Sequence, residues 1–152
     1  MRAVRALWVA LGLLGGAALA APSDDGDDQA LLADADYVAG RAAIKAGDDA
    51  LALERFQSAL RRFPDAADVH NELGFTHRRL RQMDKAFEHY RRALALKPQH
   101  RGAHEYIGET YLAIGDLAGA QKHLAALRAI CVLPCEELAD LEKAVAQYQA
   151  KR

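Results

Sequence analysis

Two cysteines four positions apart have the most direct potential for chemistry in this chain. Cys131 and Cys135 are its only cysteines, and Pro134 between them predicts that a helix ends there. In an oxidising compartment such a pair favours a disulfide, whereas exposed thiolates would suit copper(I) or redox exchange. Thiol–disulfide motifs have two intervening residues, and here there are three. We predict a structural disulfide, with metal binding and catalytic thiols as the alternatives.

Six histidines raise the question of a metal site: His70, His77, His89, His100, His104 and His123. His100 and His104 could lie on one helix face, but two imidazoles without carboxylates make a weak ligand set. His123 lies two turns before Cys131 and is the candidate further ligand for copper. The sequence shows no serine–histidine–aspartate order, no phosphate loop and no close acid pair in a predicted cleft. We therefore predict no metal, no cofactor and no enzyme activity.

The elements that position these residues are predicted to be helices. The chain of 152 residues is rich in alanine, 51% apolar and only 7% aromatic, which suits close helix packing better than a sheet. Its formal net charge is −1 at pH 7. Such a chain has no cationic excess with which to release counterions from phosphates, so we exclude a nucleic-acid partner.

The first twenty residues have the layout of a secretory signal peptide. Arg2 and Arg5 begin it, an apolar run follows, and a small-x-small pattern ends at Ala20. We predict cleavage after Ala20 and a periplasmic or secreted mature protein, without stable membrane insertion. The alternative is an uncleaved anchor, since the apolar run approaches the length of a spanning helix. Residues 21–32 begin with four aspartates, a proline and a glycine, and are predicted to be a flexible acidic linker.

A period of 34 residues organises the rest of the chain. Small residues, aromatic residues and prolines return at this spacing, with departures in the last copy. They are Gly40, Gly74 and Gly108; Ala52, Ala86 and Ala120; Phe56, Tyr90 and Leu124; Ala59, Ala93 and Leu127; and Pro64, Pro98 and Val132. A glycine inside a helix costs about 1 kcal/mol relative to alanine. Its recurrence therefore indicates that another helix approaches closely at that point.

These residues resemble the tetratricopeptide repeat, whose units are pairs of helices. The resemblance covers three units, residues 33–66, 67–100 and 101–134. It implies an all-α, right-handed solenoid with helices at about 34–46, 50–62, 67–80, 84–96, 101–114 and 118–130. A last helix in residues 135–152 has an apolar stripe at Leu138, Leu141, Val145 and Tyr148. We predict that it caps the open end of the array.

The resemblance also implies where a partner would bind, because the first helix of each unit lines the concave side. The predicted partner-binding residues are Tyr37, Arg41, Lys45, Asn71, Phe75, Arg78, Arg79, Glu105, Tyr106 and Glu109. The aromatic residues are the expected anchors, and the cationic residues could hold a carboxylate. Asn71 lies at a different offset from the peptide-holding asparagine of some family members, so we carry over no carboxylate clamp.

The resulting hypothesis is an exported scaffold that binds a peptide or protein segment on its concave face. The alternative is a periplasmic copper-handling or redox module that uses Cys131 and Cys135. Self-association is a further possibility, because Leu31 and Leu32 could pack as a lid on the first unit or meet another copy.

Overall fold

The computed structural model describes residues 25–151, and its regular elements there are eight helices. They are α1 (Asp25–Leu32), α2 (Ala35–Ala46), α3 (Asp49–Arg62), α4 (Ala67–Arg79), α5 (Met83–Leu96), α6 (Arg101–Ala113), α7 (Leu117–Ile130) and α8 (Glu136–Ala150). Within this range, no helix is both long and apolar enough to cross a bilayer. The predicted signal peptide lies outside the described residues.

Helices α2 to α7 form three antiparallel pairs, which confirms the predicted solenoid. The pairs are α2 with α3, α4 with α5, and α6 with α7. Each helix bound lies within one residue of the sequence prediction. The first helices also contact one another, α4 with both α2 and α6, whereas the second helices make no comparable contact among themselves. This asymmetry places α2, α4 and α6 on the inner side of the curve.

The recurring glycines mark where a second helix approaches the first. A Cβ atom on Gly40 would lie 2.6 Å from the ring of Phe56, and one on Gly74 would lie 2.5 Å from the ring of Tyr90. Gly108 is approached by Leu141 of α8, at 2.7 Å from the same virtual atom. The third glycine therefore allows the close approach of the C-terminal helix α8, whereas the first two allow the close approach of the second helix of their own unit.

The turns inside the three units share one backbone conformation. Gly47 and Gly115 have positive φ values of 79° and 86°. Arg81 stands at the equivalent position of the central unit and has a φ of 61°. This left-handed conformation is unfavourable for a residue with a Cβ atom. The central turn therefore keeps the geometry of its neighbours at a cost in conformational energy.

Helix α1 corrects the prediction of a flexible linker through residue 32. The chain is helical from Asp25, and the side chain of Leu31 is 1% exposed against the first unit, beside Tyr37 and Phe56. Burying a leucine contributes about 1.5–3 kcal/mol, which offsets the weak tendency of this acidic segment to fold. Leu32 remains 58% exposed.

Helix α8 covers the other end of the array, as predicted. Leu141 and Val145 are buried against Leu124 and Leu127 of α7, and the Tyr148 hydroxyl donates to the carbonyl of Gly115 at 3.1 Å. The loop before α8 leaves Val132 and Leu133 almost fully exposed.

Candidate partner-binding surface

The predicted partner-binding residues all lie on α2, α4 and α6. Tyr37, Arg41 and Lys45 belong to α2; Asn71, Phe75, Arg78 and Arg79 to α4; and Glu105, Tyr106 and Glu109 to α6. We call these ten residues the concave surface. Because the three helices stand side by side on the inner side of the curve, contacts between their side chains decide what this surface can bind.

An aromatic pair joins α4 and α6 at the centre of the concave surface. The ring centroids of Phe75 and Tyr106 lie 4.9 Å apart. The guanidinium of Arg78 lies over both rings, 5.3 and 5.8 Å from their centroids, and its Nη2 is 2.9 Å from Glu109 Oε2. Burial raises the pKa of Tyr106 to about 12, so its hydroxyl stays protonated. These rings provide apolar area next to a fixed cation.

The arginines already have internal acidic partners. Arg79 Nε lies 2.7 Å from Asp49 Oδ1, an ion pair that is not aligned as a hydrogen bond. Arg41 Nε lies 3.9 Å from Glu72 Oε1. Together with the Arg78–Glu109 pair, these contacts leave Lys45 as the exposed cation of the concave surface with no ion pair in the described part of the chain. A ligand carboxylate would compete with these acids for the arginines.

Tyr37 is a core residue rather than an exposed anchor. Its side chain is 4% exposed and packs on Phe56, with ring centroids 5.9 Å apart. Burial raises the pKa of its hydroxyl above the usual range. It forms the floor of a depression of about 310 Å³, whose other lining residues are Leu32, Val38, Arg41, Ala42 and Lys45. The N-terminal end of the concave surface is therefore an apolar depression with a cationic rim.

Two polar atoms of the concave surface are buried without a hydrogen-bond partner among the described residues. They are Asn71 Oδ1 and Arg78 Nε. Glu105 is also buried, at 8% exposure. Its burial, with the negative charges of Glu109, Asp140 and Glu137, raises the pKa of its carboxyl to about 8. Two further atoms of this kind, Asp49 Oδ1 and Tyr90 Oη, belong to residues outside the concave surface. Unsatisfied buried polar groups are rare in folded proteins, so those of the concave surface need an explanation.

Four histidines form two side-chain pairs, one in the second unit and one in the third. His70 Nδ1 lies 3.1 Å from His89 Nδ1, and His104 Nδ1 lies 2.9 Å from His123 Nδ1. The sequence pointed to His100 with His104 as the possible histidine pair, and the pairs that form were missed. The 34-residue spacing of both members was the signal that could have revealed them. His100 accepts from the backbone N–H of Ala103 and pairs with Asp68. Both of its ring nitrogens therefore have partners other than a metal ion shared with His104.

The cysteines lie at the junction of α7 and α8, with their sulfur atoms within bonding distance of each other. Cys131 ends α7 and Cys135 is the N-cap residue of α8. His123, the candidate copper ligand, faces His104 instead. Among residues 25–151, no group of three or more histidine, cysteine, aspartate or glutamate side chains is arranged to hold a metal ion.

Comparison with known proteins identifies the repeats. Two tetratricopeptide repeat models match, one over residues 37–101 and the other over residues 77–130. The chain is also 36% identical over 77 residues to a probable biofilm formation methyltransferase, WspC, of Pseudomonas putida. That match covers 51% of this chain and only 18% of the length of the relative.

Solved structures with the same fold include complexes with protein segments. The TPR2B domain of yeast Sti1, in a complex with pHsp70, has a TM-score of 0.70 at 16% identity, over 77% of this chain and 95% of that one. PcrH, in complex with the chaperone-binding region of PopD, has a TM-score of 0.65 at 23% identity, over 87% and 95%. The Sgt2 domain of Aspergillus fumigatus has a TM-score of 0.67 at 17% identity, over 86% and 81%. From its repeat period, its stacked helix pairs and both family models, this chain belongs to the tetratricopeptide repeat family.

Proposed function

We propose that this protein is an exported scaffold that binds a segment of another protein on its concave surface. The observation that carries the proposal is the Phe75–Tyr106 pair with its neighbouring unsatisfied polar atoms, Asn71 Oδ1 and Arg78 Nε. Aromatic residues dominate binding energy at protein interfaces. A peptide backbone carries both the donors and the acceptors that the two polar atoms lack.

Structural neighbours support a protein partner. Complexes of the same fold with pHsp70, with an HSP90 peptide and with a region of PopD show that this fold can hold a protein segment. The arginines of our protein are paired with its own acids, so capture of an acidic tail is not its main expected mode. Apolar side chains of the segment would instead cover the aromatic pair.

The proposed location follows from the N-terminal sequence. The charged start, apolar run and small-x-small pattern of residues 1–20 support export through a cleavable signal peptide. Oxidation of the cysteine pair would accord with a periplasmic or extracellular compartment. Binding, rather than catalysis, is the role that the side chains of the concave surface support.

Peptide selection against the purified full chain tests the proposal. Dodecapeptides selected from a random phage library would be synthesised, and their affinities measured by fluorescence anisotropy. We expect the double variant Phe75→Ala, Tyr106→Ala to bind at least about tenfold more weakly, a loss of about 1.4 kcal/mol. The matched control is Leu51→Ala, an exposed leucine on α3, which should bind unchanged.

Two results would contradict the proposal. One is selection of no binding sequence, and the other is retention of full affinity by the double variant. Circular dichroism of each variant separates loss of binding from loss of fold.

A further inference from the structure

Glu105 is a buried carboxylate that lacks a counter-ion. It lies in the middle of α6 with 8% of its surface exposed, and it makes no hydrogen bond or ion pair with any described residue. Burying an ionised carboxylate is costly unless it is paired. Glu72 of α4, which is only partly buried, has Arg41 within 3.9 Å. Glu105 therefore differs from its surroundings in having no cation of its own.

The charges around Glu105 are mostly of the same sign. Glu109 lies one turn further along α6, and the charges of Glu137 and Asp140 on α8 also act on Glu105. Arg78 of α4 opposes them, but it is shared with Glu109 at 2.9 Å. Arg101 neutralises Glu137, at 3.6 Å. Three other carboxylates therefore stand against two guanidiniums, and the excess of negative charge rises from one to two when Glu105 itself loses its proton.

A second buried acceptor adjoins this acidic end. Asn71 of α4 is 7% exposed, and its Oδ1 has no hydrogen-bond donor in the described residues. Its Nδ2 lies 3.5 Å from the position of a Cβ atom on Gly102, one turn before Glu105 on α6. The amide therefore lies between α4 and α6, about one turn of α6 away from Glu105. An ammonium group carries three donors, and both Asn71 Oδ1 and the Glu105 carboxylate can accept them.

Aromatic faces complete the surroundings that a cation favours. Tyr106 is next to Glu105 in the chain, and its ring meets that of Phe75 at 4.9 Å. Aromatic faces attract ammonium and guanidinium groups, by about 0.5–2 kcal/mol according to their exposure. Arg78 already occupies one side of these rings, which shows that the site tolerates a cation in this position.

We infer that the concave surface around α6, between α4 and α8, contains a subsite for a basic side chain of the bound segment, with Glu105 as its counter-ion and Asn71 Oδ1 as a second acceptor. The inference rests on the proposed function and adds an orientation to it. The opposite end of the surface carries Arg41 and Lys45 around an apolar depression. A segment with a lysine or arginine toward α8 and apolar or acidic residues toward α2 would match both ends.

Small probes test the subsite directly on the full chain labelled with ¹⁵N. The probes are Nα-acetyl-lysine methylamide, its uncharged norleucine analogue and its glutamate analogue, at constant ionic strength. We expect saturable shifts of the Glu105 and Tyr106 amide signals with the lysine probe alone. Glu105→Gln should weaken that binding about tenfold. Glu54→Gln removes an exposed carboxylate on α3 and should leave it unchanged.

The same titration has a pH dependence that a nonspecific acidic surface would not show. A cation needs the ionised carboxylate, so affinity for the lysine probe should rise from about pH 6.5 to about pH 8.5 as Glu105 loses its proton. In Glu105→Gln this rise should disappear. Shifts spread over many acidic residues, or binding equal in both glutamate variants, would overturn the inference.

A double-mutant cycle separates failure of the subsite from failure of the proposed function. In a selected peptide that contains lysine, that lysine is replaced by norleucine, and both peptides are measured against the original chain and Glu105→Gln. Coupling between the two changes supports the subsite. Dependence on Phe75 and Tyr106 without coupling to Glu105 leaves the binding function intact and refutes the subsite. If binding shows neither coupling to Glu105 nor dependence on Phe75 and Tyr106, the proposed binding function is refuted together with the subsite.

Discussion

His104 and His123 face each other through their Nδ1 atoms at 2.9 Å, and His104 Nε2 lies 3.0 Å from the carbonyl oxygen of Pro98. A carbonyl only accepts, so Nε2 of His104 carries a hydrogen. When both rings are neutral, Nδ1 of His104 accepts from Nδ1 of His123. The pair of His70 and His89 repeats the arrangement on the carbonyl of Pro64. A proton added to either accepting Nδ1 would place two donors face to face.

The histidine pairs predict loss of stability in mild acid. Burial lowers the pKa of His89 and of His123 to about 4, from 6.5. Between these values the unfolded chain holds more protons, so the free energy of unfolding falls as the pH falls. After allowance for partial exposure, we expect each pair to lower the free energy of unfolding by about 1–2 kcal/mol between these pH values. Urea unfolding at about pH 7.5 and at about pH 5 measures this difference.

The control for acid sensitivity is the double variant His89→Gln, His123→Gln. Glutamine keeps a neutral donor for the partner ring but does not titrate, so this variant should lose most of the pH dependence. Glu105 acts in the opposite direction, because its raised pKa makes the folded state hold the extra proton from about pH 8 to 4.5. The difference between the variant and the original chain cancels that contribution. An identical pH dependence in both would contradict the prediction.

Arg81→Gly should stabilise the protein. Its φ of 61° costs about 1 kcal/mol for a residue with a Cβ atom, and glycine adopts it without strain, although it makes the unfolded chain more flexible. We expect a net gain of about 0.5 kcal/mol in the free energy of unfolding. Gly47→Ala, with φ of 79° and no other atom within 4 Å, tests the same strain in reverse and should lose about 1 kcal/mol. Changes of the same sign at the two positions would refute the shared turn geometry.

Gly74→Ala should be strongly destabilising, because the new methyl group would lie 2.5 Å from the ring of Tyr90. We expect a loss of about 2–3 kcal/mol from overpacking. Gly102→Ala is the matched control in a first helix, where the nearest atom would be at 3.5 Å. It should gain about 0.5 kcal/mol from helix propensity. Thermal unfolding of both variants measures these changes. An unchanged stability of Gly74→Ala would contradict the close approach of the Tyr90 ring to Gly74.

The cysteine pair should be oxidised in protein exported under native conditions. A thiol count in denaturant without reductant should find no free thiol, and two reactive thiols would contradict the prediction. Because the closed loop is very short, we expect Cys131→Ser with Cys135→Ser to lose about 1–2 kcal/mol. Hydrogen exchange should increase mainly in α8, since the pair joins this helix to the end of α7.

The sequence predicted the helices well because the 34-residue spacing reports packing that each unit repeats. Residues that depend on contacts between units were harder to predict. Tyr37 was expected to be an exposed anchor, but the first unit packs it on Phe56. The apolar stripe of α8 was predicted, but its sequence did not reveal that Glu137 pairs with Arg101 and acts on Glu105. A periodic pattern gives the inward face of one helix, but not the charge that a neighbouring helix brings to it.

The two ends of the array are not equivalent. Helix α8 closes one end with Leu141 and Val145 buried beneath it. At the other end α1 leaves Leu32 58% and Val38 51% exposed. Filaments need two different complementary surfaces, whereas a single exposed apolar patch pairs only with the same patch of another copy, about a two-fold axis. Contact between copies through Leu32 and Val38 alone would therefore stop at a dimer, whereas contact of this patch with the exposed Val132 and Leu133 of another copy would not close.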